Sequence, residues 1–215
     1  MNAVELIHED AHFLVFNKPS GLLSVPGRGE DKQDCLSSRA QQIYSDALVV
    51  HRLDMSTSGL IVMARGTQSQ RSLNKAFTER RVSKRYVAWV EGLVIADRES
   101  WQTIDLPISA DWPERPLQKI DLKAGKSSQT RWQLLRHDPL RQISLLELEP
   151  ITGRTHQLRL HLQAIKHPIV GDKLYGTNNS SNNPQRLCLH AHALTIPHPD
   201  SGQECHFECE PDFSF

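Results

Sequence analysis

The segment 51–59 joins a carboxylate to residues that can build a tight turn. Asp54 is followed by three hydroxyl residues at 56–58, whose side chains bond readily to nearby backbone, and then by a glycine. Such a turn could hold Asp54 rigidly with one oxygen left for chemistry, or the carboxylate could only accept turn hydrogen bonds. A glycosidase-like pair would need a second carboxylate from elsewhere, because Asp54 has no acidic neighbour nearby in sequence.

A second candidate lies where Gly153 and Arg154 precede an amphipathic helical pattern. The pattern places the Arg154 guanidinium near the amino end of that helix, where its charge and the unpaired backbone amides both attract an anion. The anion could be a phosphate or a protein carboxylate, and a bidentate pair with Asp54 would keep that acid ionised and oriented. The alternative is a surface cap with an exposed arginine.

Cysteines and histidines near the end of the chain are residue types that bind zinc. Cys205 and Cys209 fall in a predicted strand, where residues four apart stand ~13 Å from each other, too far to share one metal ion. His190 and His192 share one face of another predicted strand with no carboxylate nearby in sequence, so we interpret them as structural or solvent-facing. We therefore expect no metal site, and free thiols in a reducing compartment.

Apolar periodicity divides the chain into short strands with few helices. Predicted strands, beginning with a hairpin, span 4–8, 13–17, 48–53, 60–64, 84–90, 144–148, 186–195 and 203–210. Many strands without a βαβ rhythm indicate an α+β fold with a mixed, mainly antiparallel sheet and a few flanking helices. A polar run over 177–185 predicts an exposed loop that is too short to separate domains.

Two amphipathic helices are predicted between these strands. The first begins at a capping residue, Thr67 or Ser69, and its buried face comprises Leu73, Ala76, Phe77 and the stem of Arg80. The second begins at Thr155 and has an apolar face of Leu158, Leu162 and Ile165, with His156, Arg159 and Gln163 on another face.

Length and composition exclude several classes of protein. The 215 residues are 38% hydrophobic and 23% charged, which fits a globular protein and excludes a disordered or collagen-like one. The apolar runs are far shorter than the ~20 residues of a membrane helix, so we expect no membrane partner. The N-terminus lacks the basic and apolar regions of a secretory signal, and we therefore expect a cytoplasmic protein.

The zero net charge is a sum over opposed regions. Residues 65–85 hold seven basic side chains and one acid, a balance of +6, while residues 115–141 hold seven and two, a balance of +5. Acids gather at both ends of the chain. The basic stretches could be solvated faces of helices and strands, or a surface that binds a phosphate backbone.

Six motifs occur in an order typical of one enzyme family. They are Asn17-Lys18-Pro19-Ser20-Gly21, His51-Arg52-Leu53-Asp54 with Thr57-Ser58-Gly59-Leu60, Lys84-Arg85-Tyr86-Val87-Ala88, Thr152-Gly153-Arg154-Thr155-His156-Gln157-Leu158-Arg159, His167-Pro168-Ile169-Val170-Gly171-Asp172 with Tyr175-Gly176, and Leu189-His190-Ala191. Spread over residues 6–213, they resemble the RluA family of pseudouridine synthases. The resemblance implies the pseudouridine synthase fold with a central RNA-binding cleft, as a single catalytic domain over 1–215 with no N-terminal S4 domain, acting as a monomer.

The resemblance also implies a reaction, the isomerisation of uridine to pseudouridine in structured RNA. The C1′–N1 glycosidic bond breaks, the uracil turns within the pocket, and C5 bonds to C1′. Because the net reaction makes no bond to water or to a cofactor, no metal ion or cofactor is expected.

Three positions match the family's catalytic residues. Asp54 matches the essential aspartate, which acts either as a nucleophile or as a base at the sugar C2′. Arg154 matches the arginine that pairs with that aspartate, and Tyr86 matches the aromatic residue that packs on the target base.

Three further positions match residues that contact RNA or line the pocket. Arg52 matches an arginine that enters the RNA where the target base leaves, and a stacked planar cation can offset part of the cost of base flipping. In the predicted strand Arg52 and Asp54 project to the same side. Lys18 and Leu189 match pocket-lining positions, although Leu189 could equally be a core residue.

Residues 22–28 and 105–119 resemble the family's dual-specificity members, which implies uridine 746 of 23S rRNA and uridine 32 of tRNA anticodon stem-loops as targets. One alternative is a synthase of the same family with a single rRNA or tRNA target. Another is an RNA-binding protein without catalysis, against which the set of Asp54, Tyr86 and Arg154 argues, because binding alone does not require that combination.

Overall fold

The structure is a computed structural model that describes residues 4–98, 100–176 and 186–213. The chain forms two compact units, one of residues 1–84 with 190–215 and one of residues 85–189, here called the first and second units. The loop predicted over 177–185 lies outside the described residues.

Twelve strands and three α-helices form within the described ranges. The strands are β1 (Glu5–Glu9), β2 (Phe13–Lys18), β3 (Ala47–Val49), β4 (Ser58–Arg65), β5 (Ser83–Glu91), β6 (Gln102–Asp105), β7 (Ile108–Ala110), β8 (Gln118–Ile120), β9 (Gln129–Asp138), β10 (Ile143–Pro150), β11 (Leu189–Pro197) and β12 (Glu204–Glu208). The helices are α1 (Leu36–Gln41), α2 (Gly66–Thr78) and α3 (Gln157–Ala164), and a short 3-10 helix spans Glu30–Lys32.

The first unit is built on the strand order β1-β2-β4-β11-β12, with β3 also paired to β4. The pairs are antiparallel except β4 with β11, which run parallel, so the predicted mixed sheet is confirmed. Strand β4 is buried along almost its whole length, as expected for an apolar run that is covered on both faces. The core beneath α2 consists of Phe13, Val15, Leu60, Val62, Ala64, Leu73, Ala76, Val82, Leu194 and Ile196.

The second unit holds the antiparallel order β5-β10-β9-β6, a separate β7-β8 hairpin and α3. Buried and partly exposed residues alternate along β10, the pattern of a strand with one face packed inward. A small core joins the hairpin to α3 through Ile108, Leu160 and Tyr175, with Leu117 and Ile120 packed against it.

Most predicted strands form, and the hairpin at the start of the chain is confirmed. The predicted strand over 48–53 is wrong beyond Val49, where β3 ends, because the N–H and carbonyl of Leu53 bond to the Ser24 side chain instead of to a neighbouring strand. Strands β6 to β9 lie where the sequence analysis predicts none.

The helices differ from prediction at their ends. Helix α2 begins at Gly66 with Arg65 as its N-cap, so neither Thr67 nor Ser69 caps it. Arg80 lies beyond the end of α2, is exposed and has a φ of 57°, so its stem does not extend the buried face.

Helix α3 begins two residues later than predicted and is buried from Gln157 to Leu162. Arg159, predicted on a polar face, is only 4% exposed and forms two bonds of 2.7 and 2.6 Å to the Asp172 carboxylate. A guanidinium can lie in a core when a bidentate carboxylate neutralises it. Arg159, on the predicted polar face of α3, is therefore buried in an ion pair and is not exposed to solvent.

Gly59 is required by the close parallel pairing of β4 and β11, and its replacement by alanine should destabilise the first unit. Its φ is +109°, and an added Cβ would lie 2.6 Å from the backbone nitrogen of Ala191. We expect Gly59→Ala to lower the free energy of unfolding by about 2–5 kcal/mol, from backbone strain plus overpacking. Urea unfolding followed by circular dichroism measures this loss.

The matched control is Gly202→Ala, at a φ of +74° with no atom within 4 Å of the added Cβ. It should lower the free energy of unfolding by only about 1–2 kcal/mol, from backbone strain alone. Equal losses in the two variants would contradict the role given to the contact with Ala191.

Candidate active site

Residues 18–24, here called the support loop, hold the turn that carries Asp54. The Lys18 side chain is 0% exposed, and its ammonium donates to the carbonyl oxygens of Pro19, Leu22 and Met55 at 2.9, 2.8 and 3.2 Å. The Met55 carbonyl also accepts from the backbone N–H of Gly21 at 2.8 Å. A buried ammonium requires such acceptors, so Lys18 ties the support loop to the residue after Asp54.

Ser24 completes the attachment on the other side of Asp54. Its hydroxyl donates to the carbonyl oxygen of Leu53 at 2.7 Å and accepts from the Leu53 N–H at 3.1 Å. One side chain thus satisfies both backbone groups of a buried residue that has no strand partner. The Asp54 carbonyl accepts from the Thr57 N–H at 3.1 Å, which closes the turn.

Arg52 is exposed and Asp54 is partly buried, on either side of the anchored Leu53. Because residues 50–54 form no strand, the strand alternation from which a shared side was predicted for these two side chains does not apply. Their positions are set instead by the support loop, whose partners lie on both sides of Asp54.

His190 and Ser58 fix the far end of the same turn. His190 is 1% exposed, and its Nδ1 lies 2.8 Å from the Ser58 hydroxyl while its Nε2 lies 3.0 Å from the carbonyl oxygen of Cys209. His192 Nδ1 lies 3.0 Å from that same carbonyl oxygen. Both histidines are therefore structural, as the sequence analysis predicts.

His51 supports the segment from the side of β4. Its ring stacks on Phe77 with centroids 4.8 Å apart, and its Nε2 accepts the Val62 N–H at 3.0 Å. Burial, assisted by the charge of Lys84, lowers the pKa of His51 to about 3. His51 is therefore a neutral imidazole at physiological pH, and the Nε2 acceptor role requires its proton on Nδ1.

A shallow depression of about 590 Å³ lies beside the turn. Its walls are Pro19, Ser20, Gly21, Leu22, Leu23, Lys32, Asp34, Arg39 and Met55. Lys18 lies beneath this surface, where it holds the support loop. The support loop therefore both positions the Asp54 turn and shapes the surface next to it.

Tyr86, Arg154 and Leu189 belong to the second unit. Tyr86 lies on β5 opposite Leu148 of β10 and is partly buried. Leu189 is 3% exposed, which agrees with the core interpretation of that residue as well as with pocket lining. Arg154 is exposed and lies in the loop before α3, three residues ahead of the first helical residue.

The Gln157 carboxamide fixes the backbone of the Arg154 loop. Its Oε1 accepts the Arg154 N–H at 3.0 Å and the Thr152 hydroxyl at 2.7 Å. Its Nε2 donates to the Gln129 carbonyl oxygen at 2.9 Å and to the Thr130 hydroxyl at 3.0 Å. All four of its hydrogen-bonding positions are filled, so this loop has one defined backbone path.

His161 continues this network into the core of the second unit. Its Nδ1 lies 2.9 Å from the Thr130 hydroxyl and its Nε2 lies 2.9 Å from the Leu106 carbonyl oxygen. Burial lowers the pKa of His161, which agrees with a neutral ring that donates through Nε2. The network thus joins α3 to the segments that precede β7 and begin β9.

Tyr175 links the Arg154 loop to the β7-β8 hairpin. Its hydroxyl accepts the Gln118 N–H at 2.8 Å and lies 2.8 Å from His156 Nδ1. His156 is the N-cap of α3 and has a φ of 54°. Tyr175, Gln157, Lys18 and Ser24 all lie in segments that carry the family resemblance, but the backbone groups that these side chains hold could not be predicted from the sequence.

The basic stretches are partly neutralised by ion pairs. Arg131 donates to Glu149 at 2.8 Å, and Arg85 lies 3.2 Å from the same carboxylate, which is outside both basic stretches. In the other stretch, Arg65 lies 3.4 Å from Glu9 and 3.1 Å from Asp46, two acids that the balance of that stretch does not include. The local charge available to an anionic partner is therefore smaller than the sequence balance.

Among the described residues no group of histidine, cysteine, aspartate and glutamate side chains could hold a metal ion. No helix in the described ranges is long and apolar enough to span a membrane.

The family of RNA pseudouridylate synthases matches residues 12–164. The chain belongs to this family, and within it to the RluA family of pseudouridine synthases, so it is an isomerase that acts on RNA. It is similar to the dual-specificity RNA pseudouridine synthase RluA of Yersinia pestis, with 45% identity over 208 residues that cover 97% of this chain and 99% of that protein. The protein of the same name from Escherichia coli K12 is 43% identical over 208 residues, which cover 97% of this chain and 93% of the relative.

Solved structures agree with the family. The human RNA pseudouridylate synthase domain containing 1 matches with a TM-score of 0.79 and 32% identity, covering 97% of this chain and 83% of that one. The human domain containing 4 matches with a TM-score of 0.74 and 25% identity, over 97% and 89% of the two chains. The predicted α+β pseudouridine synthase fold is therefore confirmed.

His51 should make the first unit less stable in acid. Because its folded pKa of about 3 lies below the ordinary 6.5, the unfolded chain binds the extra proton, and stability is lost as pH falls from 6.5 toward 3. In His51→Gln, whose amide can still accept the Val62 N–H, the loss of unfolding free energy between about pH 7 and about pH 5 should be smaller by about 1–2 kcal/mol. Urea unfolding at both pH values measures it, and an identical loss in both proteins would contradict a neutral, buried His51.

Gln157→Leu should destabilise the second unit, since it removes the acceptor of the Arg154 N–H and of the Thr152 hydroxyl. We expect a loss of about 2–4 kcal/mol in the free energy of unfolding. Gln163→Leu, at an exposed position of the same helix, is the control and should change stability by less than about 0.5 kcal/mol. Chemical denaturation compares the two, and losses of similar size would show that the network does not hold the loop.

Proposed function

We propose that this enzyme converts uridine 746 of 23S rRNA and uridine 32 of tRNA anticodon stem-loops to pseudouridine. The dual-specificity name shared by relatives that are 43–48% identical supports two classes of target. Both proposed targets are loops closed by a stem, in which an unpaired base can be turned out of the RNA at low cost.

Asp54 is the residue that starts the reaction. Its carboxylate attacks C1′ or removes the proton at C2′, and either route breaks the C1′–N1 bond. The detached uracil then bonds through C5 to C1′; in the first route this breaks the bond between Asp54 and C1′, and in the second Asp54 returns the proton to C2′. C5 then loses its proton and N1 gains one, so the product is an isomer of the substrate. The support loop is the observation that carries this role, because four of its residues bond to the segment 53–56 and hold Asp54 at a defined place.

Holding the Asp54 carboxylate in one position favours the reaction. A carboxylate on a mobile turn would lose orientation entropy in every turnover, whereas a fixed one meets the sugar in one geometry. Partial burial also removes water that would otherwise compete for its oxygens.

Tyr86 and Arg154 act in the same reaction, and Arg52 acts on the RNA. The Tyr86 ring stacks on the target uracil, and the guanidinium of Arg154 acts as the family's arginine partner of the aspartate. The fixed backbone of the Arg154 loop supports this role, because a placed guanidinium needs a defined main chain beneath it. Exposed Arg52 enters the space that the flipped base leaves.

Lys18 and Leu189 complete the pocket, Lys18 through the support loop. The chain acts as a single catalytic domain over residues 1–215, which works as a monomer in the cytoplasm without a cofactor.

Asp54→Asn should abolish pseudouridine formation and leave RNA affinity within about twofold, because the amide keeps the shape of the side chain and loses its charge and basicity. In a strain that lacks the gene, mapping of pseudouridines in total RNA should find both targets unmodified. The wild-type gene should restore them and Asp54→Asn should not. Asp200→Asn, an exposed residue of the same unit, is the control and should restore both.

Three results would change the proposal. Restoration by Asp54→Asn would remove that carboxylate from the mechanism. Loss of only one target in the deleted strain would replace dual specificity by a single rRNA or tRNA target. Unchanged modification at every site, with RNA binding intact, would favour the RNA-binding protein without catalysis.

A further inference from the structure

The tip of the β7-β8 hairpin exposes a tryptophan that no step described above uses. Trp112 is 68% exposed, and the guanidinium carbon of Arg115 lies 3.3 Å from the centroid of its ring. A stacked indole and guanidinium form a flat surface with one cationic layer. Exposed indole is costly in water, and this arrangement is one that nucleobases stack on readily.

The tip has a defined shape before any partner binds. The backbone N–H of Asp111 donates to the Leu117 carbonyl oxygen at 3.0 Å, and the Leu117 N–H donates to the Glu114 carbonyl oxygen at 2.9 Å. Lys119 lies 3.5 Å from the Asp111 carboxylate across the hairpin. The stacked pair is therefore presented by a closed loop, which lowers the entropy cost of binding.

The hairpin is attached to the loop that carries Arg154. The Tyr175 hydroxyl accepts the Gln118 N–H and lies 2.8 Å from His156 Nδ1, two residues after Arg154. The small core of Ile108, Leu160 and Tyr175 anchors the base of the hairpin. A partner held at the tip is thus held at a fixed position relative to the Arg154 loop.

The chemistry of the stacked pair favours a nucleic acid over a protein as that partner. The tip carries Asp111 and Glu114 as well as Arg115, and Lys119 pairs with Asp111, so the attraction comes from the flat surface and its guanidinium and not from net charge. A surface of indole and guanidinium is complementary to the face of a base, and the guanidinium can also bind a phosphate.

We propose that Trp112 and Arg115 form a stacking site for an unpaired nucleobase of the RNA substrate other than the uridine that reacts. The inference rests on the proposed function, and it assigns the hairpin a part in recognising the loop of the RNA. Stacking is tolerant of base identity, because every base has a flat face. The site would therefore let one enzyme hold two loops that differ in sequence.

The test measures the affinity of anticodon stem-loop RNA and of the 23S rRNA stem-loop for Trp112→Ala, Trp112→Phe and the wild type. Trp112→Ala should weaken binding about 5- to 30-fold, as expected when a stacked base loses its aromatic partner, while Trp112→Phe should lose less. At saturating RNA the rate of pseudouridine formation should stay within about twofold of the wild type, because the lost interaction contributes equally to substrate and transition state. Leu140→Ala, a 94% exposed residue of another loop in the same unit, is the control and should bind like the wild type.

A set of RNAs with one loop base removed at a time identifies the stacked nucleotide. The wild type should bind one of these RNAs weakly. Trp112→Ala should bind that RNA with nearly the same affinity as it binds the intact stem-loop. Unchanged affinity of Trp112→Ala for both stem-loops would overturn the stacking site, as would equal effects of every base removal in the two proteins. A wild type that binds these RNAs but modifies neither would overturn the proposed targets alone, since the affinity comparison does not need turnover.

Discussion

The burial of one lysine ammonium is the constraint on which the Asp54 segment depends. Lys18 is inside the first unit, where its charge is tolerable only with carbonyl oxygens around it, and three such oxygens come from Pro19, Leu22 and Met55. Those residues cannot move apart without exposing a charge to an apolar interior. The chain therefore keeps two irregular segments together near the Asp54 carboxylate without using a helix or a strand to do so.

The second unit solves the same problem with neutral groups. The Gln157 carboxamide satisfies backbone groups on both sides of it, and Thr130 and His161 extend the bonds into the core. Such a network stabilises one conformation only while every polar group in it has a hydrogen-bond partner. A buried group without a partner lowers the free energy of unfolding by more than a typical surface contact raises it. Neutral His161 is part of that balance, since a second ring proton would oppose the bond from Thr130.

Whether a feature of the fold or of the candidate site could be predicted depends on how far apart in the sequence its interacting residues lie. The buried strands β2 and β4 were predictable because apolar runs are local signals, and Asp54 and Arg154 could be proposed as site residues because their motifs are contiguous. The contact between Ser24 and Leu53 spans 29 residues and that between Gln157 and Gln129 spans 28, and both end on backbone groups that every residue has. No local pattern distinguishes such a serine or glutamine from an exposed one, so residues 50–53 resembled a strand while the support loop determined their path.

Ion pairs on the surface reduce the positive charge that the basic stretches of this neutral chain offer to RNA. Ion pairs such as Arg131 with Glu149 and Arg65 with Asp46 involve acids outside the two basic stretches, so long-range attraction to RNA is weaker than the balances of +5 and +6 suggest. With less attraction at a distance, recognition depends more on short-range contacts that are already in place when the RNA arrives. Stacking surfaces meet that need, because they gain energy only at contact and respond to whether a base is unpaired and not to total charge. A chain of this kind would select folded loops by the position of their unstacked bases, which is the property that the proposed rRNA and tRNA targets share.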